Sequence, residues 1–185
     1  MQKTYLCIDL KSFYASVECV ELGLDPFEVN LVVADPTRGG GAITLAATPA
    51  IKKLGVSSRG RIFEIDPKIE YMITPPRMHL YMEYSCKVYK VFLEFIAKED
   101  IHVYSIDESF LDVTSYLKLY QVSAKNLAKK ILDRTYEKTG LTATVGIGTN
   151  LYLAKIAMDI SAKHNADRMA YLNEVVLRQE KGLIK

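Results

Sequence analysis

An acidic hairpin in the second half of the chain is the feature that most constrains the fold. Two short β-prone runs, residues 101–106 and 109–114, flank the adjacent carboxylates Asp107 and Glu108. Runs of this kind around a short polar bend predict a β-hairpin with the acidic pair at its bend. If the fold partly buries this pair, a metal ion or an arginine is needed to neutralise it.

Adjacent carboxylates such as Asp107 and Glu108 repel each other unless a cation lies between them. The repulsion is only about 1 kcal/mol at contact distance in water, but it grows severalfold where a fold excludes solvent. Magnesium suits such a pair, because it takes few protein carboxylates and completes its shell with phosphates and water. For the dipeptide alone, an ordinary solvated acidic turn remains the alternative.

A third carboxylate, Asp9, follows an apolar strand predicted at residues 4–8. Chemistry in α/β sheets is placed at strand ends. If this strand lies beside the hairpin, Asp9, Asp107 and Glu108 come together and can hold two divalent ions about 4 Å apart.

Composition limits the classes of protein that the chain can belong to. It has 185 residues, of which 49% are hydrophobic and 25% charged, as expected for one sizeable domain or two small ones. No apolar run is long enough to cross a bilayer, and the first one breaks at Asp9, unlike a signal peptide, so we expect a cytoplasmic protein without a membrane partner.

Cys7, Cys19 and Cys86 are widely spaced and predict reduced thiols. The net charge of +2 does not by itself indicate nucleic-acid binding.

The order of strand and helix patterns predicts an α+β fold. We expect residues 1–12 and 78–172 to form a mainly antiparallel sheet covered by helices on one face, with residues 13–77 as a small inserted lobe and residues 173–185 as a tail. The predicted helices are 12–22, 48–54, 77–97, 122–138 and 151–163, and the further predicted strands are 30–34, 42–47, 68–73, 142–148 and 168–172.

Aromatic and basic residues beside these elements are candidate ligand contacts. Phe13 and Tyr14 are neighbours in a helix and diverge by about 100°, so one packs inward and the other is free to contact a ligand. Thr48 caps a short helix that also carries Lys52, which predicts an anion site, with a solvated lysine as the alternative.

A charged stripe runs along the helix predicted at residues 151–163. Lys155, Asp159 and Lys163 recur at four-residue steps and so share one side of that helix. The stripe is either a salt-bridged surface or a means of carrying a lysine toward phosphates bound at the metals.

Three stretches of the chain together resemble the Y-family translesion DNA polymerases. They are DLKSFYASVE at 9–18, YSIDES at 104–109, and VGIGTN at 145–150 followed by Leu153, Ala154 and Lys155. They stand in that family's order and spacing. Pro75-Pro76-Arg77, with the segment GVSS at 55–58, makes the UmuC-like (ImpB/MucB/SamB) branch the most similar. The resemblance implies a ferredoxin-like palm at residues 1–12 and 78–172, a small α/β fingers domain at 13–77, and the start of a thumb in the tail.

The resemblance also implies roles for particular residues. Asp9, Asp107 and Glu108 match the catalytic carboxylates that bind two magnesium ions, with manganese as an alternative, and the Leu10 carbonyl matches a main-chain metal ligand. The residues that match nucleotide contacts include Tyr14 as a steric gate under the sugar, together with Phe13, Thr48, Lys52 and Lys163. Primer-template DNA and a deoxynucleoside triphosphate are the implied partners, and a sliding clamp is a further one through C-terminal regions.

The chain departs from the family pattern at three points. A tyrosine and an arginine that commonly grip the triphosphate are replaced by Pro49 and Lys52, which removes a hydroxyl donor and a bidentate fork. The usual Asn-Lys pair is Asn150-Leu151 here. The chain also stops where the family's thumb would begin, so we expect a palm-and-fingers portion only.

Three functions are compatible with this pattern. The first is magnesium-dependent deoxynucleotidyl transfer onto a primer end opposite damaged DNA, in DNA repair and the SOS response. The second is a truncated non-catalytic paralogue that acts as a DNA-damage accessory or binding module. The third is a nucleotidyl cyclase, which can share a palm-like sheet and two-metal chemistry and would need no primer.

Overall fold

The computed structural model describes residues 2–174 and 176. The chain divides into two units, a larger one made of Met1–Leu10 and Ser85–Lys185 and a smaller one made of Lys11–Tyr84. In chain order the strands are β1 (Tyr5–Leu10), β2 (Leu31–Val33), β3 (Ala46–Ala47), β4 (Met72–Thr74), β5 (Ile101–Val103), β6 (Glu108–Asp112), β7 (Ala143–Gly148) and β8 (Met169–Leu172). The α-helices are α1 (Phe13–Leu22), α2 (Pro49–Lys53), α3 (Met78–Leu93), α4 (Thr114–Leu119), α5 (Ala124–Thr139) and α6 (Leu151–Ile156).

The larger unit is built on a five-stranded sheet with β1 at its centre. The strand order is β5-β6-β1-β7-β8, with every pair antiparallel except β7 and β8. The predicted hairpin is confirmed as β5 and β6, and the strand expected at the start of the chain is confirmed as the neighbour of β6. The α+β class and the mainly antiparallel sheet are thus confirmed.

Helices cover both faces of this sheet, which corrects the expectation of helices on one face. Side chains alternate along β1, so Cys7 lies on one face and Ile8 on the other. On the first face Cys7 packs with Phe110 of β6 and with Ala154 and Met158 of the α6 segment. On the other, Ile8 and Leu10 line a small pocket together with Val88 and Phe92 of α3. Because both faces are covered, β7 is buried along its whole length.

The segment after Asn150 is helical as predicted, but its hydrogen-bonding pattern changes along its length. Asn150 caps α6 by accepting a hydrogen bond from the Leu153 amide at 2.9 Å. After α6 the chain continues as a π-helical turn at Ala157–Ser161 and a 3₁₀ turn at Ala162–His164. This segment lies close to β7 because β7 has glycine at Gly146 and Gly148.

The smaller unit has a three-stranded sheet in the order β3-β2-β4, with β2 and β3 antiparallel and β2 and β4 parallel. Its core contains Val32, Ala47, Ile51, Val56 and Ile65. The strand predicted at 42–47 is shorter than expected, since only Ala46 and Ala47 pair with β2. The preceding glycine-rich loop forms a 3₁₀ turn at Pro36–Gly41, which is capped by the Asp35 carboxylate.

Sequence patterns missed α4 and overextended α3. The second hairpin strand was predicted to end at Thr114, but it ends at Asp112. The Asp112 carboxylate accepts a hydrogen bond from the Thr114 amide at 3.1 Å, and α4 begins at Thr114. The tail predicted at 173–185 lies outside the described residues except for Asn173, Glu174 and Val176. Within residues 2–174 and 176, no helix is long and apolar enough to cross a membrane.

We expect Gly146→Ala to destabilise the larger unit strongly. An added Cβ would lie 1.9 Å from the Ala154 carbonyl oxygen and 2.3 Å from the Met158 amide nitrogen, so the π-helical segment would have to move away from β7. The free energy of unfolding should fall by about 3 kcal/mol, as measured by denaturant unfolding followed by circular dichroism. Gly41→Ala is the control, because a Cβ there meets nothing within 4 Å. Equal stability of the two variants would contradict this packing.

Candidate functional site

The β1–β6 register brings the predicted carboxylates of the larger unit to one place. Asp9 pairs directly with Glu108, and the Leu10 amide donates a hydrogen bond to the Asp107 carbonyl at 2.9 Å. Directly opposed residues have Cβ atoms about 4.5–5.5 Å apart on the same face of a sheet. Asp9 and Glu108 therefore project side by side, with Asp107 next to them at the end of the hairpin loop.

Asp9 is a largely buried carboxylate with a perturbed pKa. Burial raises the pKa of Asp9 to about 6, the Lys163 ammonium opposes that rise, and the charges of Asp107 and Glu108 add to it. The Lys163 Nζ lies 3.5 Å from Asp9 Oδ2, too far for a strong hydrogen bond. Asp9 is thus an anion that the fold holds at a cost and that a closer cation would stabilise.

Glu108 is held more tightly than Asp9. Its Oε1 accepts hydrogen bonds from the Lys155 ammonium at 2.6 Å and from the Cys7 thiol at 3.2 Å, and the residue is 8% exposed. Burial alone would lower the pKa of Lys155, but the hydrogen bond and the charges of Glu108 and Asp159 outweigh burial and raise it. Burial and the hydrogen bond to Glu108 raise the pKa of the Cys7 thiol, so Cys7 remains a protonated donor.

The Lys155, Asp159 and Lys163 stripe is confirmed as an ion-pair chain. Asp159 carboxylate oxygens lie 3.3 Å from the Lys155 Nζ and 3.0 Å from the Lys163 Nζ. The stripe is more than a surface feature, because its two lysines also reach Glu108 and Asp9. The sequence did not reveal this pairing, nor the role of Cys7, although Cys7 stands two residues before Asp9 and so shares its face of β1.

The donor set suits magnesium in chemical type. Asp9, Asp107 and Glu108 supply carboxylate oxygens, the ligands that magnesium prefers. Lys163 and Lys155 supply positive charge to Asp9 and Glu108, and a divalent cation could supply that positive charge instead. In the part of the chain that the structure describes, however, no three His, Cys, Asp or Glu side chains converge as a ready-made metal site. A metal would therefore have to draw these carboxylates away from the lysines.

An aromatic groove lies beside Lys155 in the larger unit. It has a volume of about 440 Å³ and is lined by residues that include Tyr104, Phe110, Tyr152 and Lys155. Tyr104 and Tyr152 are exposed, and the Lys155 Nζ lies 5.5 Å from the centre of the Tyr104 ring. Exposed aromatic faces with a neighbouring cation are suited to stacking nucleic-acid bases.

In the smaller unit, the Tyr14 ring stacks on a buried tyrosine that a polar network holds in place. Phe13 is 4% exposed and packs inward, whereas the Tyr14 ring is partly exposed and stacks on Tyr81 at 4.4 Å between centroids. The Tyr81 hydroxyl donates to Glu18 Oε1 at 2.6 Å, and Arg77 donates to both Glu18 oxygens at 3.1 and 2.6 Å. The sequence suggested only core packing for the tyrosines of α3.

Comparison with known proteins decides the family. The model of the impB/mucB/samB family matches residues 8–159. The chain belongs to this family of Y-family DNA polymerases. UvrX of Bacillus subtilis (strain 168), named for UV-damage repair, is 40% identical over 172 residues, which make up 91% of this chain and 39% of UvrX.

A polymerase relative and a solved structure agree with this assignment. DNA polymerase IV 2 of the same strain is 36% identical over 183 residues, covering 97% of this chain and 43% of its own length. An insertion ternary complex of Dbh DNA polymerase matches with a TM-score of 0.79 at 27% identity, covering 96% of this chain and 51% of that one. This impB/mucB/samB member spans less than half the length of UvrX and of DNA polymerase IV 2.

The structure places the Thr48 side chain in the interior of the smaller unit of this impB/mucB/samB member, and its predicted contact with nucleotide stays a prediction. Thr48 is fully buried, and its hydroxyl donates to the Val29 carbonyl at 2.7 Å and accepts from the Leu31 amide at 3.1 Å. The hydroxyl thus satisfies the backbone around β2 and does not cap α2. Lys52 lies at the surface, where its Nζ donates to Ser12 Oγ at 3.0 Å.

We expect Asp9→Asn to stabilise the metal-free protein at neutral pH. Because the folded state binds the Asp9 proton more tightly than the unfolded state, stability is lost as the pH rises from about 4 to about 6. Asparagine removes the cost of ionising Asp9 in the folded state. The free energy of unfolding should therefore rise by up to about 3 kcal/mol above pH 6 and stay unchanged near pH 4. The measurement is denaturant unfolding across this pH range in a metal chelator. Asp133→Asn, at an exposed position on α5, controls for the substitution, and a pH-independent difference would contradict the prediction.

We expect Thr48→Val to destabilise the smaller unit. Valine has nearly the same shape but leaves the Leu31 amide without its side-chain acceptor, so the free energy of unfolding should fall by about 2 kcal/mol. Thr37→Val is the control, since the Thr37 hydroxyl donates to Asp35 Oδ1 at 2.7 Å on an exposed surface where water can take its place, and stability should change by less than ~0.5 kcal/mol. Unchanged stability in Thr48→Val would show that the buried hydroxyl contributes nothing.

Proposed function

We propose that this chain is the palm-and-fingers portion of a translesion DNA polymerase that transfers deoxynucleotides to a primer end. The larger unit is the palm and the smaller unit the fingers. Family membership supports the polymerase assignment. The observation that carries the proposal is the register of β1 and β6, which sets Asp9 opposite Glu108 with Asp107 beside them. Because the relatives named above are bacterial, a DNA substrate would place the protein in the cytoplasm.

In this proposal Asp9, Asp107, Glu108 and the Leu10 carbonyl hold two magnesium ions. When bound, such ions lower the pKa of the primer 3′-hydroxyl and neutralise charge on the triphosphate and the leaving pyrophosphate. The buried position of Glu108 and the cost of keeping Asp9 ionised favour cation uptake at these carboxylates. The chemistry is electrostatic and positional, and no nucleophilic side chain is required.

Basic and aromatic residues of the chain would orient the substrates. Lys163 would contact the triphosphate. Its present contact with Asp9 is long, at 3.5 Å, so the ammonium group can leave Asp9 for a phosphate. Tyr14 would lie under the sugar and exclude a ribose 2′-hydroxyl, and its stack on Tyr81 would hold it rigid. Lys52 would supply charge without the fork of an arginine. The groove with Tyr104 and Tyr152 would stack bases of the primer strand.

An accessory role in DNA repair is the second candidate. The lysines that lie on Glu108 and Asp9 neutralise the site without a metal, and Pro49 stands where the family commonly has a tyrosine. Such a protein would bind DNA or a repair partner through the same fold without adding nucleotides.

Primer extension tests the proposal. The 185-residue chain should extend a primed template with magnesium and deoxynucleotides, and Glu108→Gln should lower the rate by roughly 10²- to 10³-fold, the range for losing one preorganised electrostatic group. Asp133→Asn, on an exposed face of α5, should leave the rate unchanged. Equal rates for wild type and Glu108→Gln would remove the assigned site. Binding of primed DNA without any nucleotide addition would favour the accessory role.

A further inference from the structure

Asp159 is the one member of the ion-pair chain that contacts both lysines, among the residues that the structure describes. Its carboxylate lies between Lys155 and Lys163, at 3.3 and 3.0 Å from their ammonium groups. Each lysine has a second partner in a candidate metal ligand, Lys155 in Glu108 at 2.6 Å and Lys163 in Asp9 at 3.5 Å. Asp159 itself is not a candidate ligand in the proposed function.

This arrangement bears on the cost of binding a divalent cation. A cation that took Glu108 and Asp9 would part both lysines from those carboxylates. An ammonium group that is partly buried and loses its only counter-ion destabilises a protein strongly, because it has lost both water and partner. Lys155 and Lys163 are only 33% and 41% exposed at the side chain, so this cost would be felt at both positions.

We propose that Asp159 is a positioning residue that keeps Lys155 and Lys163 paired when a divalent cation takes Glu108 and Asp9. The inference rests on the metal site of the proposed function. In the metal-free protein the lysines divide their contacts between Asp159 and the ligand carboxylates. In the metal-bound protein Asp159 is the carboxylate that both lysines keep. Asp159 thereby lowers the cost of the exchange and raises the affinity for the metal.

The packing of the helical segment suits an exchange by side-chain rotation. Gly146 and Gly148 let the backbone of Leu153, Ala154 and Met158 lie directly on β7, so the segment that carries the charged stripe cannot shift easily. The ammonium groups must then change partners on long flexible stems while the backbone stays in place. The Cys7 thiol would keep one hydrogen bond to Glu108 during the exchange.

Charge balance supports a divalent partner. With all groups ionised, the four carboxylates of Asp9, Asp107, Glu108 and Asp159 exceed the two ammonium groups by two negative charges. The first of the two proposed magnesium ions would neutralise that excess without the loss of either lysine from the cluster. Asp159 would then act as the shared counter-ion of both lysines.

The test is a calorimetric titration of the 185-residue chain with magnesium chloride, without nucleotide or DNA. Asp159→Asn should weaken magnesium binding by roughly threefold or more, since the lysines then lose the carboxylate that they share outside the ligand set. Lys155→Met should strengthen it, because Glu108 is released. Lys155→Met should also lower the melting temperature in a chelator and recover most of that loss at saturating magnesium.

A double variant separates this exchange from a general field effect. If Asp159 acts through the lysines, Asp159→Asn should matter less in the Lys155→Met background than in the wild type. Equal effects in both backgrounds would overturn the inference, because a direct effect of charge on the metal would then suffice. The surface pair Lys125–Asp167, at 2.7 Å, provides the matched control, and Lys125→Met and Asp167→Asn should leave magnesium affinity unchanged.

Failure of the inference and failure of the proposed function have different signatures. A wild-type chain that takes up magnesium with the same affinity as Asp159→Asn keeps the metal site and overturns the role of Asp159. A wild-type chain that takes up no magnesium overturns the metal site and the inference together.

Discussion

The pairing of β1 between β6 and β7 is the constraint on which the candidate site depends. Side chains alternate along a strand, so a slip of one residue in the β1–β6 register would turn Asp9 away from Glu108 and bury it among the apolar side chains of the other face. Leu6 and Ile8 lie on one face of β1 and Cys7 on the other, and all three are buried, so β1 is packed on both sides between its two neighbours. The same packing that stabilises the sheet therefore positions the carboxylates.

Burial of charge explains much of the chemistry around these carboxylates. Burial raises the pKa of Asp9 to about 6, so keeping Asp9 ionised destabilises the folded protein. Lys163 lies too far away to offset this with a strong hydrogen bond. Glu108 is treated differently, since Lys155 and Cys7 both donate to it. A protein gains no stability from an underpaired buried carboxylate, and sites of this kind are commonly reserved for a ligand or for catalysis. The asymmetry between Asp9 and Glu108 thus agrees with the proposed metal site.

In the smaller unit, a partly exposed aromatic ring stacks on a fully buried one. Tyr14 itself is only partly buried, but the ring on which it stacks is fully buried and tied to Glu18, which is in turn tied to Arg77. The Thr48 side chain, by contrast, is fully buried, and its hydroxyl makes both of its hydrogen bonds with the backbone around β2.

Local patterns in the sequence were sufficient to predict the acidic hairpin, the central strand and most of the helices. Gly140 marks the end of α5 and Asn150 caps the start of α6, and signals of this kind depend on only a few neighbouring residues. The three motifs, taken together, were sufficient for the family, which the comparison with known proteins confirmed. Only the tertiary structure decided that helices cover both faces of the sheet, that the Thr48 hydroxyl turns inward, and that Lys155 reaches Glu108 across 47 residues of chain. These features depend on which distant surfaces meet and which groups lose water there, and no local pattern of residues carries that information.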